Sequence, residues 1–268
     1  MMTKTNKTRL LAGVALTCAL AAPSAFAEEY RGFYFGVYGG AGSADGKSRS
    51  DFDTRFSNAW TQSILTNIMN DLNRDPNRAG NTLLGLTAGT RKASTLDDSP
   101  NVWGALVGFR FNKWVGTEIG YVNLGEVKYD FGGNYDYQFN SFDTTTRPNF
   151  SSVSPYAVGY RFSSAGPTAA VVGFLPVGRY FEFNAKAGIY LADTRQTVRV
   201  TDVELKDNFY HERVDASQTE IFAGVGATWN ATENFAVRVE YQRFMDVGDN
   251  AKTYEQNIDV INVGILFK

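Results

Sequence analysis

Residues 235–242 read Phe-Ala-Val-Arg-Val-Glu-Tyr-Gln. Phe235, Val237, Val239 and Tyr241 fall on one parity, and Ala236, Arg238, Glu240 and Gln242 on the other. Strict alternation of this kind marks a β-strand whose two faces meet different surroundings. It does not say which face is the core. In a soluble sandwich the apolar face points inward, whereas in a membrane barrel it points out to lipid. The rest of the chain must decide.

The same alternation recurs upstream. Residues 33–42 are aromatic and glycine-rich, with Gly36 and Gly40 on the parity that would make room in a narrow lumen. Residues 102–111 set Trp103, Ala105, Val107, Phe109 and Phe111 against Gly104, Leu106, Gly108 and Arg110. After the turn Asn112-Lys113, residues 114–123 set Val115, Thr117, Ile119 and Tyr121 against Gly116, Glu118 and Gly120, which makes a hairpin. Residues 169–177 are nearly all apolar and their parity is open. Residues 180–191 set Phe181, Phe183, Ala185, Ala187 and Ile189 against Glu182, Asn184, Lys186 and Gly188. Residues 219–229 form a sixth strand, 235–244 a seventh and the stretch ending at 268 an eighth. Short turns alternate with long connections, at about 43–101, 125–168, 192–217 and 249–256. Each strand is about ten residues, the length of a tilted membrane strand. This asymmetry predicts an all-β, eight-stranded, antiparallel up-and-down transmembrane barrel, with short periplasmic turns and long extracellular loops. Aromatics near strand ends (Tyr34, Trp103, Trp114, Tyr121, Tyr180, Trp229, Tyr241, Phe267) read as interface girdles. A soluble sandwich or lipocalin-like barrel is the rival fold.

The N-terminus supports export. Lys4, Lys7 and Arg9 precede an apolar run from Leu10 to Ala22, too short to span a bilayer as a helix, and an Ala-x-Ala site ends at Ala27. Residues 1–27 are therefore read as a signal peptide and 28–268 as the barrel domain. The only cysteine, Cys18, lies in the leader, so the mature chain is no disulfide scaffold. Removing the three leader cations leaves 23 basic against 28 acidic residues, which argues against nucleic acid as a partner.

Two long connections carry patterns of their own. Phe52, Phe56, Trp60, Ile64 and Ile68 recur every four residues, with Leu65 and Leu72 beside them, which predicts an amphipathic helix over about 54–73. Folding back on its own loop is its simplest placement; the barrel rim, lipid head groups or a partner are the others. Tyr135, Tyr137 and Phe139, and again Tyr156, Val158, Tyr160 and Phe162, alternate with other residues. They read as strand extensions above the membrane or a loop hairpin. If 156–162 enters the membrane together with 82–90, the barrel has ten strands.

Parity also places charge. Arg110, Glu118, Glu182, Lys186, Arg238 and Glu240 all fall on the inward face, three positive and three negative. On the lipid face such charges would cost ~2–4 kcal/mol each at mid-membrane. An eight-stranded lumen is only wide enough for side chains to fill it, so the balanced set should pair. Catalytic chemistry finds little support. The single histidine, His211, is expected on a polar surface loop beside Glu212, away from any strand-borne serine. Asp97-Asp98 reads as solvated loop charge. No cofactor or metal is expected.

Four stretches together resemble the OmpA-like outer-membrane β-barrel family. They are residues 33–42, the run Gly-Phe-Arg-Phe-Asn-Lys-Trp-Val-Gly-Thr-Glu-Ile-Gly-Tyr-Val-Asn-Leu-Gly at 108–125, Gly173-Phe-Leu-Pro-Val-Gly with Ala185-Lys-Ala-Gly, and residues 235–244. The resemblance implies the bacterial outer membrane, with lipid or lipopolysaccharide and the barrel-assembly machinery as partners. It also implies an interior Glu, Lys and Arg network that blocks or gates the lumen, which Glu118, Lys186 and Arg238 match by strand and motif. The family's larger members continue into a peptidoglycan-binding domain; this sequence stops at Lys268, so the barrel domain alone is expected. Asn262, Gly264 and Phe267 fit the family's terminal assembly signal, although the chain ends one residue short of its last aromatic. The expected function is a non-enzymatic barrel serving envelope integrity and surface interaction. The alternatives are a small porin for ions or small solutes, and an adhesin or host-factor binder acting through the large loops.

Overall fold

The computed structural model describes residues 31–45, 48–74, 81–141, 150–202, 208–249 and 255–268. The leader expected at 1–27 lies outside them. In chain order the elements are β1 (Gly32–Asp45), α1 (Arg49–Arg55), α2 (Asn58–Arg74), β2 (Asn81–Arg91), β3 (Thr95–Asp97), β4 (Asn101–Arg110), β5 (Val115–Ser141), β6 (Phe150–Val177), β7 (Phe181–Asp202), β8 (Asn208–Asn230), β9 (Phe235–Val247) and β10 (Gln256–Phe267).

Eight strands close an antiparallel ring in the order β1, β4, β5, β6, β7, β8, β9, β10, and β10 returns to β1 with Phe35 opposite Phe267. The other two segments, β2 and β3, pair only with β5 among the described residues. Asn81 faces Ser141, Thr95 faces Asp130 and Trp103 of β4 faces Asn123. Thus β2, β3 and β4 are pieces of one interrupted strand descending along β5. Residues 82–90 lie on the upper extension of the wall, and 156–162 continue β6 upward opposite 127–133. The closed ring counts eight strands, and β2 and β3 bring the sheet as a whole to ten.

The long connections at 125–168 and 192–217 are mostly strand, not loop. β5 and β6 stay paired from Val115–Gly173 up to Phe139–Phe150, and β7 and β8 up to Thr201–Asn208. Nearest-neighbour hairpin pairing satisfies the backbone at every step, which a free loop of that length would leave to water. The wall is consequently tall over β5–β8 and short over β9, β10 and β1.

The lower half carries an apolar belt on its outside. Phe33, Phe35, Val37, Val107, Ile119, Phe183, Val225, Ile261 and Val263 are exposed, Ile119 by 65 %. A contiguous belt of this extent is unsuited to water and suited to lipid. Trp103, Tyr121 and Tyr241 lie toward the tall end, and Trp114, Tyr180 and Trp229 toward the short turns. Tyr34 departs from the expected girdle: it points inward and is buried. Its ring fits because position 108 is glycine, where a Cβ would meet the ring at 2.1 Å. In residues 169–177 the open parity resolves with Ala170, Val172 and Phe174 inward.

Above the belt the polarity inverts. In β5 the change needs a bulge between Asn123 and Glu126, centred on Gly125 at φ +77°, a backbone that glycine adopts without strain. Below it even-numbered residues such as Glu118 face inward; above it Val127, Tyr129, Phe131 and Tyr135 do. With Tyr156, Val158, Tyr160 and Phe162 they make an apolar interior. The amphipathic stretch forms two helices rather than one and starts earlier than its periodicity suggests, at Arg49. It packs both on its own loop, through β2, and on the wall beyond it. Phe52 stacks on Tyr129 at 5.1 Å between ring centroids, and Phe56 meets Tyr129 at 5.6 Å and Tyr160 at 5.5 Å. Ile64, Leu65 and Ile68 join the same cluster. Each large side chain so buried contributes about 1.5–3 kcal/mol.

Candidate functional site

The six inward charges stand on β4, β5, β7 and β9 and form two groups across the lumen. Nearer the short turns, Arg110 of β4 meets Glu182 of β7, with Nη2 2.7 Å from Oε2. The same guanidinium donates to the carbonyls of Asn112 and Lys113 at 3.1 and 2.6 Å and lies over the Phe174 ring at 4.1 Å. It therefore also pins the β4–β5 turn.

The second group crosses the middle of the lumen. Glu118 of β5 receives Arg238 Nη1 at 2.5 Å and Lys186 Nζ at 3.4 Å. Glu240 of β9 receives Lys186 Nζ at 2.8 Å and lies 3.6 Å from Arg238 Nη1. Two cations and two carboxylates thus alternate around a closed quartet. All four are at least nine-tenths buried. Such a set survives burial only if the remaining hydrogen-bond positions are also filled. Neutral neighbours fill them. The Tyr34 hydroxyl donates to Glu118 Oε1 at 2.8 Å, Asn184 Nδ2 to Glu240 Oε1 at 2.9 Å and Gln242 Nε2 to Glu240 Oε2 at 2.8 Å. Arg238 Nε donates to Thr228 Oγ1 at 3.2 Å.

Charge counting in the sequence missed Tyr34, Asn184, Thr228 and Gln242. Strand parity was the signal that could have found them, since Asn184 and Gln242 share the faces of Glu182 and Glu240.

The expected assembly-signal residues divide between the two faces of β10. Phe267 is on the lipid side with Ile261, Val263 and Ile265. Asn262 is buried on the lumen side, opposite Glu240 of β9 and Gly40 of β1. Gly264 also faces inward, and a Cβ there would meet that of Tyr38 at 2.9 Å.

A polar clasp holds the helices to the upper wall. Arg91 of β2 donates to Asp53 Oδ1 and to the Phe56 carbonyl, both at 2.7 Å, so a cation sits at the C-terminal end of α1. The Tyr129 hydroxyl donates to Asp53 Oδ1 at 2.6 Å and accepts from Arg91. Burial pushes the Asp53 carboxyl up, but hydrogen bonds from Tyr129 and Ser94 and the charges of Arg91 and Arg49 outweigh it and hold it below its usual range. Burial, with the hydrogen bond to Asp53, pushes the Tyr129 phenol up to about 12. Gln62 Oε1 accepts from the Ala88 backbone at 2.8 Å and ties α2 to β2.

His211 is exposed on β8 across from Arg199 of β7, on a strand rather than the expected loop. Asp97 likewise belongs to β3 and faces Lys128 of β5. Among the described residues no group of three His, Cys, Asp or Glu is placed to hold a metal ion.

No protein of curated function matches the sequence. Among solved structures, the chain is similar to Ail, the attachment invasion locus protein of Yersinia pestis, at 11 % identity, TM-score 0.40, covering 90 % of this chain and 99 % of that one. It is similar to neisserial surface protein A at 12 % identity, TM-score 0.36, covering 90 % and 99 %. It is similar to OprG from Pseudomonas aeruginosa at 11 % identity, TM-score 0.37, covering 89 % and 96 %. The model of the OmpA-like transmembrane domain matches residues 29–268. The closed ring, the lipid-facing belt and that match make the chain a member of the OmpA-like transmembrane domain family, a β-barrel of the bacterial outer membrane.

Proposed function

We propose that this barrel is non-enzymatic and non-conducting, that it serves the integrity of the outer membrane, and that its tall wall mediates surface contacts. The observation that carries the reading is the buried quartet of Glu118, Lys186, Arg238 and Glu240 across the lumen. A pore for ions or small solutes needs solvated walls, and these charges are screened from water and satisfied by one another and by neutral donors. The aromatic cluster under α1 and α2 adds a second obstruction further up. The exposed place of His211, with Arg199 as its cross-strand neighbour, suits a solvated side chain rather than a catalytic base. Surface contact fits the outward face of the upper wall, where Lys128, Arg161, Arg195 and Arg213 alternate with Glu126, Asp130 and Asp215.

Planar-bilayer recording of the refolded protein tests the reading. The expected result is a bilayer without reproducible conductance steps. Regular steps from the unmutated protein would replace this function with the porin alternative.

A further inference from the structure

At the short-turn end, which faces the periplasm in barrels of this kind, the lumen opens into a cavity of about 830 Å³. Five cations line it, Arg31, Arg110, Arg179, Arg238 and Lys268, against two carboxylates, Glu182 and Glu233. A terminal carboxylate on Lys268 would still leave cations in excess. Two of the five are committed, Arg110 to Glu182 and Arg238 to Glu118 on the inner side. Arg31, Arg179 and Lys268 are exposed at the rim and have no ion-pair partner among the described residues. The Lys268 ammonium donates to an amide oxygen, Asn230 Oδ1 at 2.6 Å. Partial desolvation of the exposed ammonium lowers its pKa; Glu182 pulls the other way, and Arg110 and Arg238 push it down further. The result is a lysine held in an electropositive surrounding. Tyr34 and Phe174 form an aromatic floor.

A concave site with converging, uncommitted cations is what a multiply charged oxyanion needs. Guanidinium groups match phosphate oxygens bidentately, and a low-dielectric wall strengthens each contact. We propose that this vestibule binds a phosphate-bearing ligand from the periplasmic side, gripped by Arg31, Arg179 and Lys268. The phosphate belongs either to a small soluble molecule or to a lipid headgroup of the adjacent leaflet.

Isothermal titration of the refolded protein in zwitterionic micelles tests this, with inorganic pyrophosphate in one arm and short-chain phosphatidylglycerol in the other. The expected result is saturable one-site binding in at least one arm at fixed ionic strength. The Arg31→Gln/Arg179→Gln variant should weaken it at least tenfold and Lys268→Gln a few-fold, while Arg195→Gln at the opposite end should change nothing. Heat-modifiable gel mobility checks that each variant is folded. Tighter binding of the lipid assigns the phosphate to a headgroup, and tighter binding of pyrophosphate assigns it to a soluble ligand. Absence of saturable binding in both arms, or an affinity unchanged in both rim variants, overturns the proposal. Bilayer conductance is independent of either result, so this site can fail while the closed-lumen reading stands.

Discussion

The two halves of the barrel use one strand pattern in opposite senses. β7 shows this along a single chain. In its lower half Phe181, Phe183 and Leu191 are exposed to the outside, while Glu182, Asn184 and Lys186 are buried inside. In its upper half the outward residues are Asp193, Arg195 and Arg199, and the inward ones are Ala192, Val198 and Val200. Alternation fixes only that the two faces differ. The surrounding solvent decides which face is which: lipid takes the apolar side below, and water takes the polar side above. Each half then fills its interior with what remains, charges that must be paired below and apolar rings that must be covered above.

The consequences of damage should therefore differ between the halves. The largest effect is expected for Lys186→Met. It leaves Glu118 and Glu240 with a single shared cation, Arg238, and breaking a buried pair typically costs about 3–5 kcal/mol. Water admitted along the lumen recovers part of that loss. The variant should show a lower heat-modification temperature together with new conductance. Glu118→Gln should act in the same direction but less, since the amide oxygen still accepts from Tyr34. Unaltered conductance and heat modification in both variants would mean that the quartet is not what closes the lumen.

Phe56→Ala tests the other half. Phe56 is 1 % exposed and packs on three rings of the upper wall. Losing such a side chain costs about 3–5 kcal/mol where the site cannot collapse. The loss falls on docking of α1 and α2, not on the membrane ring. Protease added to whole cells should cut within residues 49–74 much faster, with heat modification unchanged. A comparable fall in heat-modification temperature would show the two halves to be one cooperative unit.

The legibility of the two halves also differs. The lower half is readable because lipid imposes a strict rule on every outward position, so parity alone puts all six lumen charges on the inner face. Pairing partners are not readable, because they depend on which strands face each other across the lumen. Glu118 and Lys186 are 68 residues apart, and Glu118 and Arg238 are 120 apart. From sequence Tyr34 reads as a girdle residue because aromatics near strand ends usually are interfacial; its inward turn depends on glycine at 108, a tertiary fact. In the upper half the helical stripe and the alternating tyrosines were visible, but their mutual contact was not. Gly125 was invisible as a bulge, since one residue of register shift leaves no trace in composition. At the break between the two helices of 49–74 the Phe56 carbonyl accepts from Arg91, which lies on a separate strand and so could not be read as a partner from local sequence.

The smallest expected effect concerns the clasp that joins the helices to the wall. Asp53 has a depressed folded pKa, so its contribution is complete above the unfolded aspartate value of about 3.9 and is lost as pH falls through the lower folded value. Tyr129 is shifted the other way, to about 12, so its contribution is complete below the unfolded tyrosine value of about 10 and is lost as pH rises through about 12. Protection of residues 49–74 should therefore be flat through neutral pH and fall at both extremes. Asp53 is partly exposed and screened, so its ion pair with Arg91 is worth at most about 1 kcal/mol. Asp53→Asn should remove the acid-side loss while lowering protection at neutral pH only slightly. Hydrogen exchange of the α1 amides measured from pH 2 to pH 7, corrected for the intrinsic rate, reads the acid side directly. An acid-side loss that persists undiminished in Asp53→Asn would place the titrating group elsewhere and remove the clasp from the account of how the upper half stays closed.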